Sequence, residues 1–254
     1  MNGLTWSHVS DIFAALYYHL NLECITLQII HAYTSYYDTV RQIDPFYTID
    51  LSDPTQPLVV GELKIPGFSN YLHPVNDTLI LALGQDVDET TGRTKGLQIS
   101  LFDVSDFANP QRVNQFVEEE EWSTSEAQYD HRAFRYLPES KLLILPLYIN
   151  SWYSSNQFFD GFVVYDVDET RAFKRKFNVS HVSGDDAFGN QYCWGAAELP
   201  SRSLVFEGNV TTLKGHTALS HNLDTEELWW QLNLDKGRSK NEECNIWHHD
   251  GMVW

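Results

Sequence analysis

The sequence predicts an all-β fold made of four-stranded repeats, and three observations support this prediction. Short segments that alternate apolar and polar residues recur along the chain, and turns rich in Asp, Asn, Gly and Pro separate them. Comparable strand ends return at intervals of 53 to 63 residues. The 254 residues are 43% apolar and 14% aromatic, which is enough to form a sizeable core.

Four strand-like segments define the repeat, because each ends in Asp or Asn followed by an apolar residue and a polar turn. Successive aligned positions lie 53, 63 and 56 residues apart, at Asp50, Asp103, Asp166 and Asn222. A further strand-like segment follows each turn, and apolar runs such as NDTLILAL and ESKLLILPL form a second landmark. Repeats of roughly 40 to 50 residues with four strands are typical of β-propeller blades. We therefore predict a β-propeller of about four blades of four-stranded antiparallel sheet, and the sequence leaves open whether the ring is complete.

The repeated Asp and Asn residues are interpreted as turn formers rather than as a shared catalytic or metal site. Their side chains bond to the backbone of the following residues, and a nearby Pro fixes the backbone of the turn. The pentapeptide DVDET occurs at Asp86–Thr90 and again at Asp166–Thr170, but the first copy opens a polar stretch and the second ends a strand. The two copies are therefore not a repeat.

Segments outside the blades follow other patterns. Residues 1–35 predict a helix that begins after Ser10 and then a strand, residues 36–235 hold the blades, and residues 236–254 form a C-terminal tail. The basic run Arg171–Phe177 predicts a half-exposed strand. The acidic run Glu118–Trp122 predicts a solvated loop.

The charge of the chain limits its partners. The net charge is −18, from 17 Lys and Arg against 35 Asp and Glu, so the electrostatic field disfavours nucleic acid and anionic membrane surfaces as partners. No stretch reaches the ~18 uninterrupted apolar residues of a membrane span. The start at Met1 lacks the features of a signal peptide, which predicts either a cytosolic protein or a natural product that starts elsewhere.

Cysteines and glycosylation signals are sparse. The three cysteines are too few and too scattered for a disulfide framework or a zinc site, and a single bridge between Cys193 and Cys244 is the pairing considered, which leaves Cys24. Asn-x-Ser/Thr sequences, which would suit a secreted protein, occur at Asn76, Asn178 and Asn209.

Several stretches resemble a family of secreted proteins that carry a C-terminal β-propeller domain distantly related to WD repeats. The matching stretches are RQIDPFYTIDLSDPTQPLVVGELKIPGFSNYLHPV, GQDVDETTGRTKGLQISLFDVSDFANP, EAQYDHRAFRYLPESKLLILPL and SRSLVFEGNVTTLKGHTALSHNLDT. The resemblance covers about Tyr37 to Asp235. It implies a β-propeller, an exported protein and no established reaction. Because members of the family are longer at the N-terminus, it also implies a truncated product or a mispredicted gene start.

The same resemblance suggests a calcium loop. Similar proteins carry an Asp-x-Asp-x-Asn-Gly loop where this chain has DVDETTG. Carboxylates at alternate positions followed by Gly are how a loop wraps calcium. Asp86, Asp88 and Thr90 are therefore candidate calcium ligands, although an extra Thr91 moves Gly92 one place late. The alternative is an ordinary acidic hairpin loop.

Catalytic candidates are few. His73 and His131, with Asp130 and Glu126, are candidates for a metal or acid/base group at a propeller channel, and the alternative for each histidine is a structural hydrogen bond. The run His248–Gly251 is a weaker metal candidate, because adjacent side chains on an extended segment point apart. No nucleophile motif or phosphate-binding glycine loop is present in the sequence.

Two aromatic clusters, Trp152–Phe159 and Leu228–Trp230, suit either a face that binds protein or carbohydrate, or packing between blades, which we favour. We predict an extracellular or cell-surface binding and scaffold module, stabilised by calcium and without catalysis of its own. One alternative is a metal- or carboxylate-dependent hydrolase with its site at the channel. The other is a structural domain that self-associates through an open strand edge.

Overall fold

The computed structural model describes residues 45–53, 55–118, 122–149, 158–168, 173–182 and 200–234. These residues include two 3₁₀ helices, Glu126–Gln128 and His131–Ala133, and no helix among them is long and apolar enough to cross a membrane. Their strands are β1 (Phe46–Asp50), β2 (Leu58–Leu63), β3 (Phe68–Pro74), β4 (Leu79–Val87), β5 (Thr94–Asp103), β6 (Gln111–Val117), β7 (Ser123–Thr124), β8 (Arg135–Leu137), β9 (Leu142–Ile149), β10 (Phe159–Asp166), β11 (Lys174–Ser180), β12 (Arg202–Phe206), β13 (Asn209–Lys214), β14 (Thr217–Asn222) and β15 (Leu228–Asn233).

The described strands form four sheets. The first sheet pairs β1 with β2, the second has the order β3-β4-β5-β6, the third has the order β7-β9-β10-β11 with β8 also paired to β9, and the fourth has the order β12-β13-β14-β15. The strand pairs with a defined register are antiparallel. The chain divides into two compact units, residues 1–94 with 100–113 and residues 95–99 with 114–254. The predicted all-β class is confirmed.

The four aligned residues of the sequence repeat end equivalent strands. Asp50 ends β1, Asp103 ends β5, Asp166 ends β10 and Asn222 ends β14. In the second, third and fourth sheets this strand is the third along the sheet, and the fourth strand follows the turn. The predicted register of the repeat is therefore confirmed.

The predicted turn chemistry is present at Asp50, Asp103 and Asn222, while the turn after Asp166 continues outside the described residues. Asp50 Oδ1 accepts a hydrogen bond from the backbone N–H of Ser52 at 2.8 Å, and Asp103 Oδ1 accepts one from Ser105 at 2.8 Å. Asn222 Oδ1 accepts from the backbone N–H groups of the second and third residues after it, each at 2.9 Å. Each of these side chains thus replaces a backbone hydrogen bond of the sheet at the point where the strand ends.

A β-bulge repeats beside these turns, and the sequence pattern did not predict it. The register shifts between Thr48 and Ile49 in β1, between Val164 and Tyr165 in β10, and between Ser220 and His221 in β14. Each shift lies at the same distance from the final Asp or Asn. The extra residue falls in the outer strand of the sheet, at Val60, Lys176 and Trp229. An extra residue increases the local twist, so each outer strand bends away at the same place.

The core of the second unit lies between the third and fourth sheets. One face of the third sheet contributes most of the buried apolar cluster, and alternate residues of the fourth sheet complete it. The members of this cluster are Leu142, Ile144, Phe162, Val164, Phe177, Val179, Val210, Leu219 and Leu223, with Leu137 and Val205 packed at its margin. Because strand side chains alternate between faces, only one face of the fourth sheet takes part.

The first unit has a smaller core of the same kind. Phe46 of β1 stacks on Phe102 of β5 with ring centroids 4.5 Å apart, and Ile80, Ala82 and Val104 complete this buried cluster. Only glycine fits at position 61, because a Cβ atom there would lie 2.6 Å from the carbonyl oxygen of Phe107. Close approach of β2 to this carbonyl explains the glycine.

The structure corrects two interpretations of single residues. Glu118 was placed in a solvated loop, but its side chain is 5% exposed. The aromatic cluster Leu228–Trp230 was expected to pack between blades, but all six residues of β15 are exposed. The basic run behaves as predicted, since β11 is a partly exposed strand.

Other predicted features lie outside the described residues. They are the helix and strand of residues 1–35, the C-terminal tail 236–254, all three cysteines, most of Trp152–Phe159, Glu169 and Thr170 of the second DVDET copy, and the run His248–Gly251.

Candidate functional site

Two short 3₁₀ helices position the acidic candidates of the second unit. Ser125 caps the first helix, where its hydroxyl accepts a hydrogen bond from the backbone N–H of Ala127, and Gln128 bonds back to the backbone N–H of Ser125. Asp130 caps the second helix and accepts from the backbone N–H of Arg132 at 3.0 Å. The caps hold the carboxylates of Glu126 and Asp130 in fixed positions.

Arg202, at the start of β12, joins these two carboxylates. Its Nη1 donates to Glu126 Oε1 at 2.8 Å, and its Nη2 donates to Asp130 Oδ2 at 2.6 Å. The backbone N–H of Ser201 donates to Glu126 Oε2 at 2.8 Å. The third and fourth sheets are therefore linked by charge-assisted hydrogen bonds beside their apolar core.

The surroundings of Asp130 make it a structural anion. The side chain and backbone N–H groups of Arg132 donate to it, and with the charge of Arg202 they hold the pKa of Asp130 well below its usual value. A general base works best with a pKa near the operating pH, so this carboxylate is poorly matched to proton transfer at neutral pH. His131 begins the second 3₁₀ helix and is exposed.

A second pair links the same sheets. Lys214 Nζ of β13 lies 2.8 Å from Asp160 Oδ1 of β10 and 3.3 Å from the hydroxyl of Ser201. His181 Nε2 lies 2.9 Å from the hydroxyl of Thr212. These polar side chains lie at the junction of the two sheets, and their contacts hold the sheets together.

A buried network around Glu118 was missed by the sequence reasoning. Glu118 follows β6, and its carboxylate accepts hydrogen bonds from the hydroxyl of Tyr165 and from the guanidinium of Arg175. Burial, followed by the charge of Glu118, raises the pKa of Tyr165 well above its usual value. A buried carboxylate needs such partners, because removing an ion from water is costly. The one sequence feature that pointed to this network was Arg175, a basic residue within the strand predicted from the run Arg171–Phe177.

His73 lies in the first unit, on β3, and is half-buried. Its Nδ1 lies 3.4 Å from the hydroxyl of Tyr71, and the two rings are 6.2 Å apart. Burial lowers the pKa of His73, which favours the neutral imidazole at neutral pH. The role of His73 in an acid/base group with His131 and Asp130 stays a prediction.

The first DVDET copy forms the turn between β4 and β5. Asp88 Oδ1 accepts hydrogen bonds from the backbone N–H groups of Thr90 and Thr91, at 3.0 and 2.8 Å, and from the Thr91 hydroxyl at 3.0 Å. Gly92 has φ = +70° and donates its N–H to the carbonyl of Asp88 at 2.8 Å. The left-handed conformation explains the glycine. A bound cation would compete with these three donors for Asp88 Oδ1.

Asp86 is the other carboxylate of the candidate calcium loop, and it precedes the turn on β4. Burial lowers the pKa of Arg112, while the nearby charge of Asp86 opposes that change. Within the described ranges, no three or more His, Cys, Asp or Glu side chains are grouped so that they could hold a metal ion. Calcium binding at Asp86, Asp88 and Thr90 stays a prediction.

The fourth sheet carries a concentration of exposed apolar side chains. Its outer strands β12 and β15 contribute all of them, with exposures from 36% for Trp230 to 73% for Phe206. We call this set the apolar surface of the fourth sheet, and its members are Leu204, Phe206, Leu228, Trp229, Trp230 and Leu232. The members lie on the two edge strands of the sheet, because β13 and β14 separate β12 from β15. Clustered exposed apolar side chains mark interaction sites more often than isolated ones do.

The ion pairs of Asp130 predict an acid-sensitive contribution to stability. Because the pKa of Asp130 is lower in the folded protein, the stabilisation is complete above its ordinary value near 3.8 and is lost as pH falls below that value. Asp130→Asn keeps the helix cap but removes the charge. We expect its melting temperature to lie below that of the unchanged protein at pH 6, and the gap to narrow toward pH 3. Asp224→Asn, in an exposed turn, is the control, and a gap that stays constant from pH 6 to pH 3 would contradict the account.

Comparison with known proteins places these features in a family. A family model described as the β-propeller domain matches residues 31–226. An uncharacterized protein of Archaeoglobus fulgidus is 42% identical over 108 residues, which are 42% of this chain and 16% of that protein. An uncharacterized protein of Methanocaldococcus jannaschii is 40% identical over 118 residues, which are 46% of this chain and 18% of that protein. The matched region thus spans less than a fifth of either relative.

A solved structure is also similar. Sqt1 of Saccharomyces cerevisiae aligns with a TM-score of 0.38 and 10% identity, covering 74% of this chain and 42% of that protein. A TM-score this low adds no weight to the assignment. The family match covers most of the chain and agrees with the repeated four-stranded sheets. The chain belongs to the β-propeller domain family.

Proposed function

We propose that the chain is an extracellular protein-interaction and scaffold module that binds through the apolar surface of the fourth sheet. The observation that carries this proposal is the exposure of every residue of β15, a strand that contains two tryptophans and two leucines. Trp is enriched among the residues that dominate binding energy at protein interfaces. Val210 and Leu219 of the same sheet are anchored in the core, so the surface is presented on a rigid element.

A protein ligand fits this surface better than a carbohydrate. Sugar sites combine aromatic rings with several polar groups that fix the orientation of the ligand. The apolar surface instead joins aromatic and aliphatic side chains across both outer strands. An apolar patch of this kind matches the centre of a protein interface, where charged residues are depleted.

The proposed extracellular location rests on the resemblance to secreted proteins and on the glycosylation sequences. The side chains of Asn76 and Asn178 are exposed, so both sequences are accessible to modification. The net charge of −18 also suits a protein that works outside the cell without binding to anionic surfaces.

Site-specific photo-cross-linking tests the proposal. A photoreactive phenylalanine analogue placed at Phe206, which is 73% exposed, should give one discrete cross-linked product in the cells that make the protein. The same analogue at Tyr129, which is 81% exposed but lies outside the apolar surface, is the matched control and should give none. Because the proposed location is extracellular, protease added to intact cells should remove the product.

Two results would contradict this function. Equal products at Phe206 and Tyr129 would show that the fourth sheet has no special role in binding. A product that resists external protease until the cells are lysed would refute the extracellular location while leaving the binding role.

We also propose that calcium stabilises the first unit through Asp86, Asp88 and Thr90. Support comes from the two carboxylates at alternate positions and from the left-handed Gly92 that closes the turn. Extracellular calcium modules bind with dissociation constants of roughly 0.1 to 1 mM, which a weakened loop would match.

A thermal melt with calcium and with chelator tests this second proposal. At a calcium concentration about a hundredfold above its dissociation constant, the free energy of unfolding should rise by about 2.7 kcal/mol, which moves the midpoint by a few degrees. Asp86→Ala should abolish the rise, and Asp224→Ala, in an exposed turn of the fourth sheet, should leave it unchanged. If calcium does not move the midpoint of the unchanged protein, the loop is an acidic hairpin turn and nothing more.

A further inference from the structure

We propose that Asn76 carries an N-linked glycan and that Asn178 and Asn209, which stand in the same kind of sequence, do not. This inference rests on the proposed extracellular location, because exported chains are the ones that receive such glycans. Asn-x-Ser/Thr is the acceptor sequence for the modification. The three acceptor sequences of the chain are residues 76–78, 178–180 and 209–211. They are equal as sequence motifs, but they lie in different structural settings.

Asn76 lies in the turn that joins β3 to β4. The three residues of its acceptor sequence are all exposed, and none of them belongs to a strand. The N–H groups of Val75 and Asn76 donate to the carbonyl of Leu79, at 2.8 and 3.4 Å, and close the turn. The carbonyl of Thr78 accepts from Val104 at 2.8 Å, which anchors the end of the turn and leaves its side chain exposed. A transferase therefore reaches all three side chains without opening the sheet.

The amide of Asn76 is held with its nitrogen available. Its Oδ1 accepts hydrogen bonds from the backbone N–H groups of Thr78 and Leu79, each at 2.9 Å, and from the Thr78 hydroxyl at 3.1 Å. These three donors occupy the oxygen, and within the described ranges no hydrogen bond is made by Nδ2. The nitrogen that receives the sugar is thus accessible, and the hydroxyl that the acceptor sequence requires lies beside the same amide.

The modification is a substitution at the donor sugar, and the donor is a lipid-linked oligosaccharide diphosphate. A bond forms between Nδ2 of Asn76 and the anomeric carbon of the sugar, while the bond from that carbon to the diphosphate oxygen breaks. The lipid diphosphate leaves with the bonding electron pair, and a base of the transferase takes the Nδ2 proton. No oxidant or reductant is needed, and the chain supplies only the acceptor.

The other two acceptor sequences lie within strands. Residues 178–180 end β11, and residues 209–211 form the first half of β13. Their middle residues, Val179 and Val210, are 1% and 0% exposed and belong to the core between the third and fourth sheets. A transferase binds either complete sequence only after the strand has left its sheet, which costs much of the free energy of unfolding.

The side chains of these two sequences differ from each other. Asn178 is exposed, as Asn76 is, but its backbone is paired with β10. Asn209 Nδ2 donates to the carbonyl of Glu207 at 3.0 Å, and the Thr211 hydroxyl bonds to that of Ser220 at 3.0 Å. An exposed side chain therefore distinguishes Asn76 from Asn209, and an exposed complete sequence distinguishes Asn76 from Asn178.

A transfer reaction on the purified, folded chain tests the difference between the sites. The probe is a purified single-subunit oligosaccharyltransferase with lipid-linked oligosaccharide, and peptide mass spectrometry measures the rate at each site. Synthetic peptides with the three sequences lack the fold and are the controls. In the folded chain Asn76 should react within about tenfold of the rate of its peptide. Asn178 and Asn209 should react at least about a hundredfold more slowly than their peptides, because the opened state is populated below about 1%.

Protein purified from the cells that make it provides the second test. Peptide mass spectrometry should find a glycan at Asn76 and none at Asn178 or Asn209. Asn76→Gln removes the acceptor nitrogen and Thr78→Val removes the hydroxyl, so each should abolish the glycan. Thr78→Ser keeps the hydroxyl and should retain the glycan, and Asn209→Gln should leave the glycan unchanged.

The outcomes separate this inference from the proposed function. An unmodified Asn76 in protein that added protease removes from intact cells overturns the inference and leaves the extracellular location standing. An unmodified Asn76 in protein that resists the protease overturns both. A glycan at Asn178 or Asn209, or equal rates at the three sites of the folded chain, shows that the fold does not select the acceptor and contradicts the inference. A glycan at Asn76 together with equal cross-linking at Phe206 and Tyr129 supports the inference and contradicts the binding role.

Discussion

Packing between successive sheets is the interaction on which the rest of the second unit depends. A four-stranded sheet cannot bury both of its faces by itself, and the third sheet places Phe162, Val164 and Phe177 against the fourth. The two sheets share one apolar cluster of nine buried residues, so neither has a complete core without the other. The stability of each sheet is therefore coupled to its neighbour, as expected of a repeat in which each unit contacts the next.

Charged groups at the margin of this packing fix the position of one sheet against the other. Arg202 bonds to Glu126 and Asp130, and Lys214 pairs with Asp160. These ion pairs are directional, whereas apolar contacts are not, so they select one alignment of the two sheets. Of the residues considered for catalysis, Glu126 and Asp130 take part in these ion pairs, while an acid/base role for His73 and His131 stays a prediction. The 3₁₀ caps hold the carboxylates of Glu126 and Asp130 at the junction of these two sheets.

The sequence predicted the strand ends well because local chemistry determines them. Asp50, Asp103 and Asn222 bond to the backbone of their own turns, so neighbouring residues alone specify the structure. The β-bulges beside Asp50, Asp166 and Asn222 were not predictable, because each depends on the register of a partner strand. The burial of Glu118 was missed for the same reason, since its partners Tyr165 and Arg175 lie 47 and 57 residues away in the sequence.

The exposure of β15 could not be predicted from the sequence either. The pattern of Leu228–Trp230 resembles that of buried strands, and only the position of the sheet decides whether another sheet covers it. Equivalent positions in the third and fourth sheets therefore have similar side chains and different surroundings. Trp230 and Leu232 are explained as residues of an inter-sheet face, because their counterparts Phe177 and Val179 are buried between two sheets.

A matched pair of substitutions tests this account most directly. Val179 and Leu232 occupy equivalent positions, with exposures of 1% and 47%. At dilute concentration, Val179→Ala should lower the free energy of unfolding by about 2 kcal/mol, because it leaves a cavity between two sheets. Leu232→Ala removes a larger side chain but should cost less than about 1 kcal/mol, because Leu232 is 47% exposed. Chemical denaturation at micromolar protein measures both, and a loss for Leu232→Ala as large as that for Val179→Ala would contradict the account.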